Sequence, residues 1–147
     1  MADTVVDISR RRDDQVLPNE RSATMDMKIE LIAVPVTDID RAKTFYVDQV
    51  GFVADHDHRV SETLRFVQLT PPGSACSICI GEGITDMVPG TQNAIQMVVD
   101  NADETYDRLV KAGVAASEVE ELAWGRFTYF SDPDGNKWSL QELPKRG

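Results

Sequence analysis

The stretch SDPDGNKWSL, residues 131–140, reads as a strand, a tight turn and a second strand. Asp-Gly readily takes the positive backbone angles that a short hairpin needs. Working outward, GRFTYFS (125–131) and NKWSLQEL (136–143) are the hairpin strands, and VAASEVEEL (114–122) is expected to be a strand before them. Further back, NAIQMVVD (93–100) is also strand-like. Between lies a helix: Asn101 can cap it, Glu104 stands where a capping-box partner belongs, and Ala102, Thr105, Leu109 and Ala112 share one face. Gly113 can supply the left-handed stop.

The first half repeats this order. KIELIAVPV (28–36) is strand-like, with frequent β-branched residues. Within TDIDRAKTFYVDQVGF (37–52), Thr37 or Asp38 can cap a helix whose Ile39, Ala42, Tyr46 and Val50 fall at helical spacing, and Gly51 can end it. FVADHDHRV, LRFVQLT and ACSICIGE then read as three strands, with PPG (71–73) turning the last pair. Strand, helix and three strands, twice over, describe a duplicated βαβββ unit and an α+β fold.

The bulk properties narrow the function. The chain has 147 residues, enough for one domain with a sizeable core. Its formal net charge is -10, which repels phosphate backbones and anionic membranes, so neither nucleic acid nor a membrane is expected as a partner. No apolar run approaches the ~20 residues of a bilayer span. The N-terminal stretch lacks the apolar core of a secretory signal, and two cysteines, Cys76 and Cys79, imply no disulfide framework; the expectation is a cytoplasmic protein. Residues 1–26, polar and carrying Arg10, Arg11 and Arg12 beside Asp13 and Asp14, read as a tail before a domain at 27–147.

The paired units, with PVTDIDRAKTFYVDQVGF in the first and DPDGN near the end, make residues 27–143 resemble the vicinal oxygen chelate superfamily, which contains glyoxalase I, bleomycin-resistance proteins and extradiol dioxygenases. FVQLTPPGS (66–74) is similar to a subgroup of small glyoxalase-like proteins. The resemblance implies two βαβββ modules forming a cupped mixed sheet, commonly paired across a homodimer. It also implies metal ligands on the first and fourth strand of each module, facing the cup. At those four places this chain has Leu31, Cys79, Ala94 and Ser139, where the family commonly has histidine, glutamate, histidine and glutamate.

Divalent metals need imidazole, carboxylate or thiolate donors. Leu31 and Ala94 offer none, a neutral serine hydroxyl is a poor ligand, and Cys79 alone does not hold an ion. No metal or other cofactor is therefore expected. Ala33, Gln96 and Gln141 lie two residues from these places and share their face, while Trp124 is placed to wall a pocket. The expected binding face is thus Leu31, Ala33, Cys79, Ala94, Gln96, Trp124, Ser139 and Gln141. Such a lining suits burial of a small, largely apolar organic molecule with a few hydrogen bonds.

Two further motifs have plainer and sharper readings. His56 and His58 share a face on a strand and can chelate a metal, or they merely decorate an exposed strand end. Cys76 and Cys79 match CxxC spacing, but residues three apart on a strand face opposite ways, so buried unpaired thiols are the plainer reading. Arg126 beside Trp124 is either a pocket rim or a solvated charge. The functions left open are metal-free binding, resistance or catalysis; a metal-dependent lyase or dioxygenase with a shifted ligand set; and a thiol sensor built on Cys79.

Overall fold

A computed structural model describes residues 25–145. The tail expected at 1–26 falls outside them, save Met25 and Asp26. The first module comprises β1 (Leu31–Ala33), α1 (Ile39–Thr44) continuing as a π-helical turn over Phe45–Val50, β2 (Val53–Ser61), β3 (Leu64–Thr70) and β4 (Ser77–Glu82). The second comprises β5 (Ile95–Val99), α2 (Ala102–Lys111), β6 (Glu120–Leu122), β7 (Gly125–Ser131) and β8 (Lys137–Glu142). Each module makes one four-stranded sheet, in the orders β1-β4-β3-β2 and β5-β8-β7-β6. In both, the first strand lies parallel to the last and the remaining neighbours are antiparallel. This is the duplicated α+β architecture expected from the sequence.

Local signals set the helix ends. Asp38 caps α1, accepting from the Arg41 amide at 3.0 Å. The chain then widens into π geometry, with the Gly51 and Phe52 amides both donating to the Tyr46 carbonyl, and Gly51 turns out at φ 103°. Asn101 caps α2 by accepting from the Glu104 amide at 3.0 Å. The amide of Ala102 is satisfied from outside the helix, by Glu142 Oε1 at 2.8 Å.

Several strands are shorter than their sequences suggest. KIELIAVPV forms a strand only at Leu31–Ala33; past the Val34 amide, which donates to the Cys79 carbonyl, Pro35 has no N–H to continue the ladder, and its carbonyl accepts from Asn136 and Gly90. VAASEVEEL contributes only Glu120–Leu122; at Ser117 the chain meets β7 through its own amide, to the Tyr129 carbonyl at 2.8 Å.

One continuous core joins the modules. Val67, Leu69, Ile78 and Ile80 come from the first sheet, Phe130, Trp138 and Leu140 from the second, and Phe45, Tyr46 and Val50 from the helical segment. The SDPDGNKWSL hairpin locks this arrangement. Buried Asp132 accepts from Tyr46 Oη at 2.7 Å and from Asn136 Nδ2 at 2.8 Å through one oxygen, and from the Asp134 and Asn136 amides through the other. Trp138 Nε1 donates to Tyr46 Oη at 2.9 Å. The hairpin thus carries a buried polar hub tying the second module to the helix of the first, and Trp138 packs away from the open faces, as its alternation with Ser139 predicts. Among the described residues, no helix is long and apolar enough to cross a membrane.

Candidate functional site

Each sheet has a face turned away from the core, and the strand register says which residues share it. On the first sheet, Leu31 pairs with Ser77, Ala33 with Cys79, and Cys79 with Gln68. On the second, Gln96 and Tyr129 flank Ser139, and Val98 and Phe127 flank Gln141. Alternation places these opposite Ile78, Ile80, Trp138 and Leu140, which face the core. Leu31, Ala33 and Cys79 are therefore side by side, and so are Gln96, Ser139 and Gln141. Ala94 lies just before β5, exposed and outside the ladder. No strand pairing or hydrogen bond joins the first group to the second among the described residues.

The amides of the second face are fixed in series. Gln96 Nε2 donates to Gln141 Oε1 at 2.8 Å, and Gln141 Nε2 donates to the Trp124 carbonyl at 2.7 Å. Trp124 sits in the β6–β7 turn with its side chain 61% exposed. Its successor Gly125 has φ 145°, and a β-carbon there would stand 2.5 Å from the Glu142 carbonyl oxygen, so the close crossing behind Trp124 requires glycine. Arg126, next to this turn, is bonded to Asp103 and Glu121 at 2.9 Å each.

The first face carries a polar row that sequence alternation does not reveal. A register shift between Ala54 and His56 makes a bulge at Asp55. Asp55 accepts from the Thr70 hydroxyl; Thr70 Oγ1 and Ser77 Oγ are 2.6 Å apart, and Gln68 Nε2 donates to Ser77 Oγ at 3.4 Å. Ser77 could be found in the sequence from its place two residues before Cys79. Asp55 could not, because a bulge re-aims a side chain that regular alternation would send elsewhere. Phe127 and Tyr129, stacked with ring centroids 5.9 Å apart, were likewise missed, though both share the parity of Ser139 across the hairpin.

The four residues that the resemblance assigns to metal-ligand places do not fit an ion. Leu31 and Ala94 have no donor atoms, and Ser139 offers only a hydroxyl. Burial pushes the Cys79 thiol above its ordinary range, which keeps the proton on sulfur and disfavours both metal ligation and nucleophilic attack at neutral pH. His56 and His58 do share a face, opposite Gln68 and Phe66, with their rings stacked at 5.8 Å. They stand exposed on the edge strand β2. Among the described residues no group of three or more histidine, cysteine or acidic side chains converges on a point.

Two hollows adjoin these faces. One, of about 640 Å³, is lined by Ser139, Tyr129, Lys137 and Ser117, among others. The other, of about 670 Å³, runs along β5 and α2. Neither is lined by Leu31, Ala33 or Cys79.

Two βαβββ modules with open sheet faces define a glyoxalase-type protein. The sequence profile of the Glyoxalase/Bleomycin resistance protein/Dioxygenase superfamily matches residues 28–140, and the chain belongs to that superfamily. Its fold is similar to that of TnmS3, an antibiotic-binding protein from Streptomyces sp. CB03234, with 33% identity and a TM-score of 0.75 over 82% of this chain and 99% of that one. A glyoxalase/bleomycin resistance protein from the same organism is 35% identical, with a TM-score of 0.70 over 78% of this chain and 100% of that one. The chain is also 29% identical over 122 residues to YetH of Bacillus subtilis, an uncharacterized protein, covering 80% of this chain and all of that one.

Proposed function

We propose that this protein encloses a small, largely apolar organic molecule against its open sheet faces, without a divalent metal, and acts by binding rather than by metal chemistry. The carrying observation is the donor set: Leu31, Cys79, Ala94 and Ser139, which the family resemblance assigns to the metal-ligand places, offer an ion at most one thiol and one hydroxyl. The similarity to an antibiotic-binding protein supports the ligand class. Leu31, Ala33 and Ala94 supply apolar surface with buried Cys79 beside them, Trp124 an exposed aromatic wall, and Gln96, Ser139 and Gln141 the neutral hydrogen bonds that orient the guest. The protein works in the cytoplasm as a homodimer, with a face of one copy closing over a face of the other. Supporting this, the free edges carry bare apolar groups: Met27, Ile29 and Leu31 on and before β1 are 90%, 71% and 38% exposed, and Val98 on β5 is 62% exposed.

The test is a titration of the untagged chain with chloramphenicol, a small and largely apolar antibiotic, with and without excess EDTA, followed by mass spectrometry of the recovered compound. Saturable binding with the compound recovered intact is the expected result. A chemically altered compound would establish catalysis, and binding that EDTA abolishes would overturn the metal-free reading. The stacked His56 and His58 favour a second reading, a shifted metal site. That reading requires the His56→Gln/His58→Gln double variant to lose bound metal and activity together.

A further inference from the structure

The larger hollow is a different kind of place from the open faces. It lies where the modules meet: the end of the helical segment at Val50 and Phe52, the Pro71–Ser74 turn of the first module, and β5 with α2 of the second. Its floor is core: Val50, Phe52 and Leu140 belong to the buried cluster, and Met97 and Val99 pack against it. Buried Val50, Phe52 and Leu140 thus back a hollow of about 670 Å³, and half-buried Met97 and Val99 offer it apolar surface.

At the mouth stands Arg108 of α2. Its Nη2 donates to the Val50 carbonyl at 3.1 Å, and its Nη1 lies over Gly51, so the guanidinium is held across the end of the first helical segment. Arg41, Lys43, Arg59, Arg65 and Arg126 each have a carboxylate within 4.0 Å, whereas Arg108 has none among the described residues. A guanidinium stays charged at any physiological pH and offers five N–H donors, of which one is used by Val50. A guanidinium bonded to a backbone carbonyl, with no carboxylate partner among the described residues and an apolar lining beside it, matches one ligand chemistry: an organic anion with a hydrocarbon body.

We propose that this hollow is a second binding site, taking an amphipathic carboxylate whose head group bonds Arg108 while its chain lies against Val50, Met97, Val99 and Leu140. A carboxylate accepts two parallel N–H bonds from guanidinium, which gives direction as well as strength. Burial of the chain supplies the rest, since each methylene removed from water favours the bound state. Asp100 also borders the hollow and opposes the anion, so it tunes affinity downward. Gln96 and Val98 are shared with the proposed open face, but Cys79, Ser139 and Gln141 do not line this hollow.

Decanoate and 1-decanol, titrated separately into the full chain and followed by methyl NMR, test the proposal. Decanoate is expected to shift the Met97, Val99 and Leu140 methyls and to bind at least about tenfold more tightly than the alcohol. Arg108→Gln should remove that preference while leaving 1-decanol binding unchanged; Arg108→Lys should retain part of it, and Asp100→Asn should strengthen decanoate. Because the Gln variant loses the bond to Val50, its folding is checked by the unchanged spectrum of the core methyls. If it fails to fold, the Lys and Asn variants decide. Equal affinity for acid and alcohol, shifts confined to the open faces, or no binding by the unaltered chain would each overturn the proposal. None of these would touch the open-face reading, which the antibiotic titration tests separately.

Discussion

The Asp132 carboxylate shows how one side chain can explain why a motif stands where it does. Four hydrogen bonds converge on it inside a region it shares with Tyr46, Asn136 and Trp138. Removing the tyrosine hydroxyl strips a donor from a buried acid and an acceptor from a buried indole. Tyr46→Phe should therefore lower stability by about 1–3 kcal/mol in urea denaturation. Asp132→Ala, which strands several donors at once, should cost more than Tyr46→Phe; parental stability in both variants would mean that the hub contributes nothing. Burial is also the main cause raising the Tyr46 phenol, with Asp132 adding to it, so this tyrosine stays neutral throughout the ordinary pH range.

Cys79 gives a second test at the same scale. With its thiol raised by burial, alkylation by iodoacetamide should be slow at pH 7 and should accelerate only in alkaline solution. Fast labelling of Cys79 at neutral pH would contradict this and revive a thiol sensor. The sign for stability follows: the folded state holds the proton more tightly, so the contribution is full below the unfolded pKa and is lost as pH rises through the folded one.

At the scale of elements, both helices and their stops could be read from Asp38, Gly51, Asn101 and Gly113, because a cap or a left-handed glycine acts within a few residues. The family resemblance puts Leu31, Cys79 and Ser139 on one kind of face, and alternation then adds Ala33, Gln96 and Gln141. Three features lay beyond such local rules. The π-helical turn over Phe45–Val50 and the shortness of β6 depend on tertiary partners. The Asp55 bulge depends on how β2 meets β3, and it brought a carboxylate to a face where none was expected.

A further element-scale prediction concerns the opposite side of β2. Asp57 is bonded to Arg65 and Lys43, and Arg65 also reaches Asp40 in α1, which ties the hairpin to the helix. The hydrogen bonds from Arg65 and then Lys43 hold the Asp57 carboxyl far below the usual range. A depressed folded pKa means stability present above the unfolded value of about 3.8 and lost as pH falls toward the folded one. Asp57→Asn should thus be less stable than the parent at pH 7, with the gap closing below about pH 4. A gap that persists unchanged at pH 2.5 would show that the clamp acts through packing and not charge.

For the whole molecule, two open faces and the exposed apolar groups at the β1 and β5 edges call for a second copy. Sedimentation should give a dimer at micromolar concentration, and Leu31→Asp, which puts a charge on the exposed edge without touching the core, should weaken it by at least about tenfold. A monomer in both cases would leave the faces unclosed and the enclosure proposal without walls.

The central claim is that this superfamily member binds its guest without a metal, because Leu31, Ala94 and Ser139 replace the side chains an ion would need. Metal content by plasma mass spectrometry, on untagged protein purified without chelators, tests it most directly. The account predicts far less than about one transition metal per chain, unchanged after incubation with zinc, manganese, iron or nickel and desalting. Close to one ion per chain, lost in the His56→Gln/His58→Gln variant, would contradict it and return the protein to metal-dependent lyase or dioxygenase chemistry.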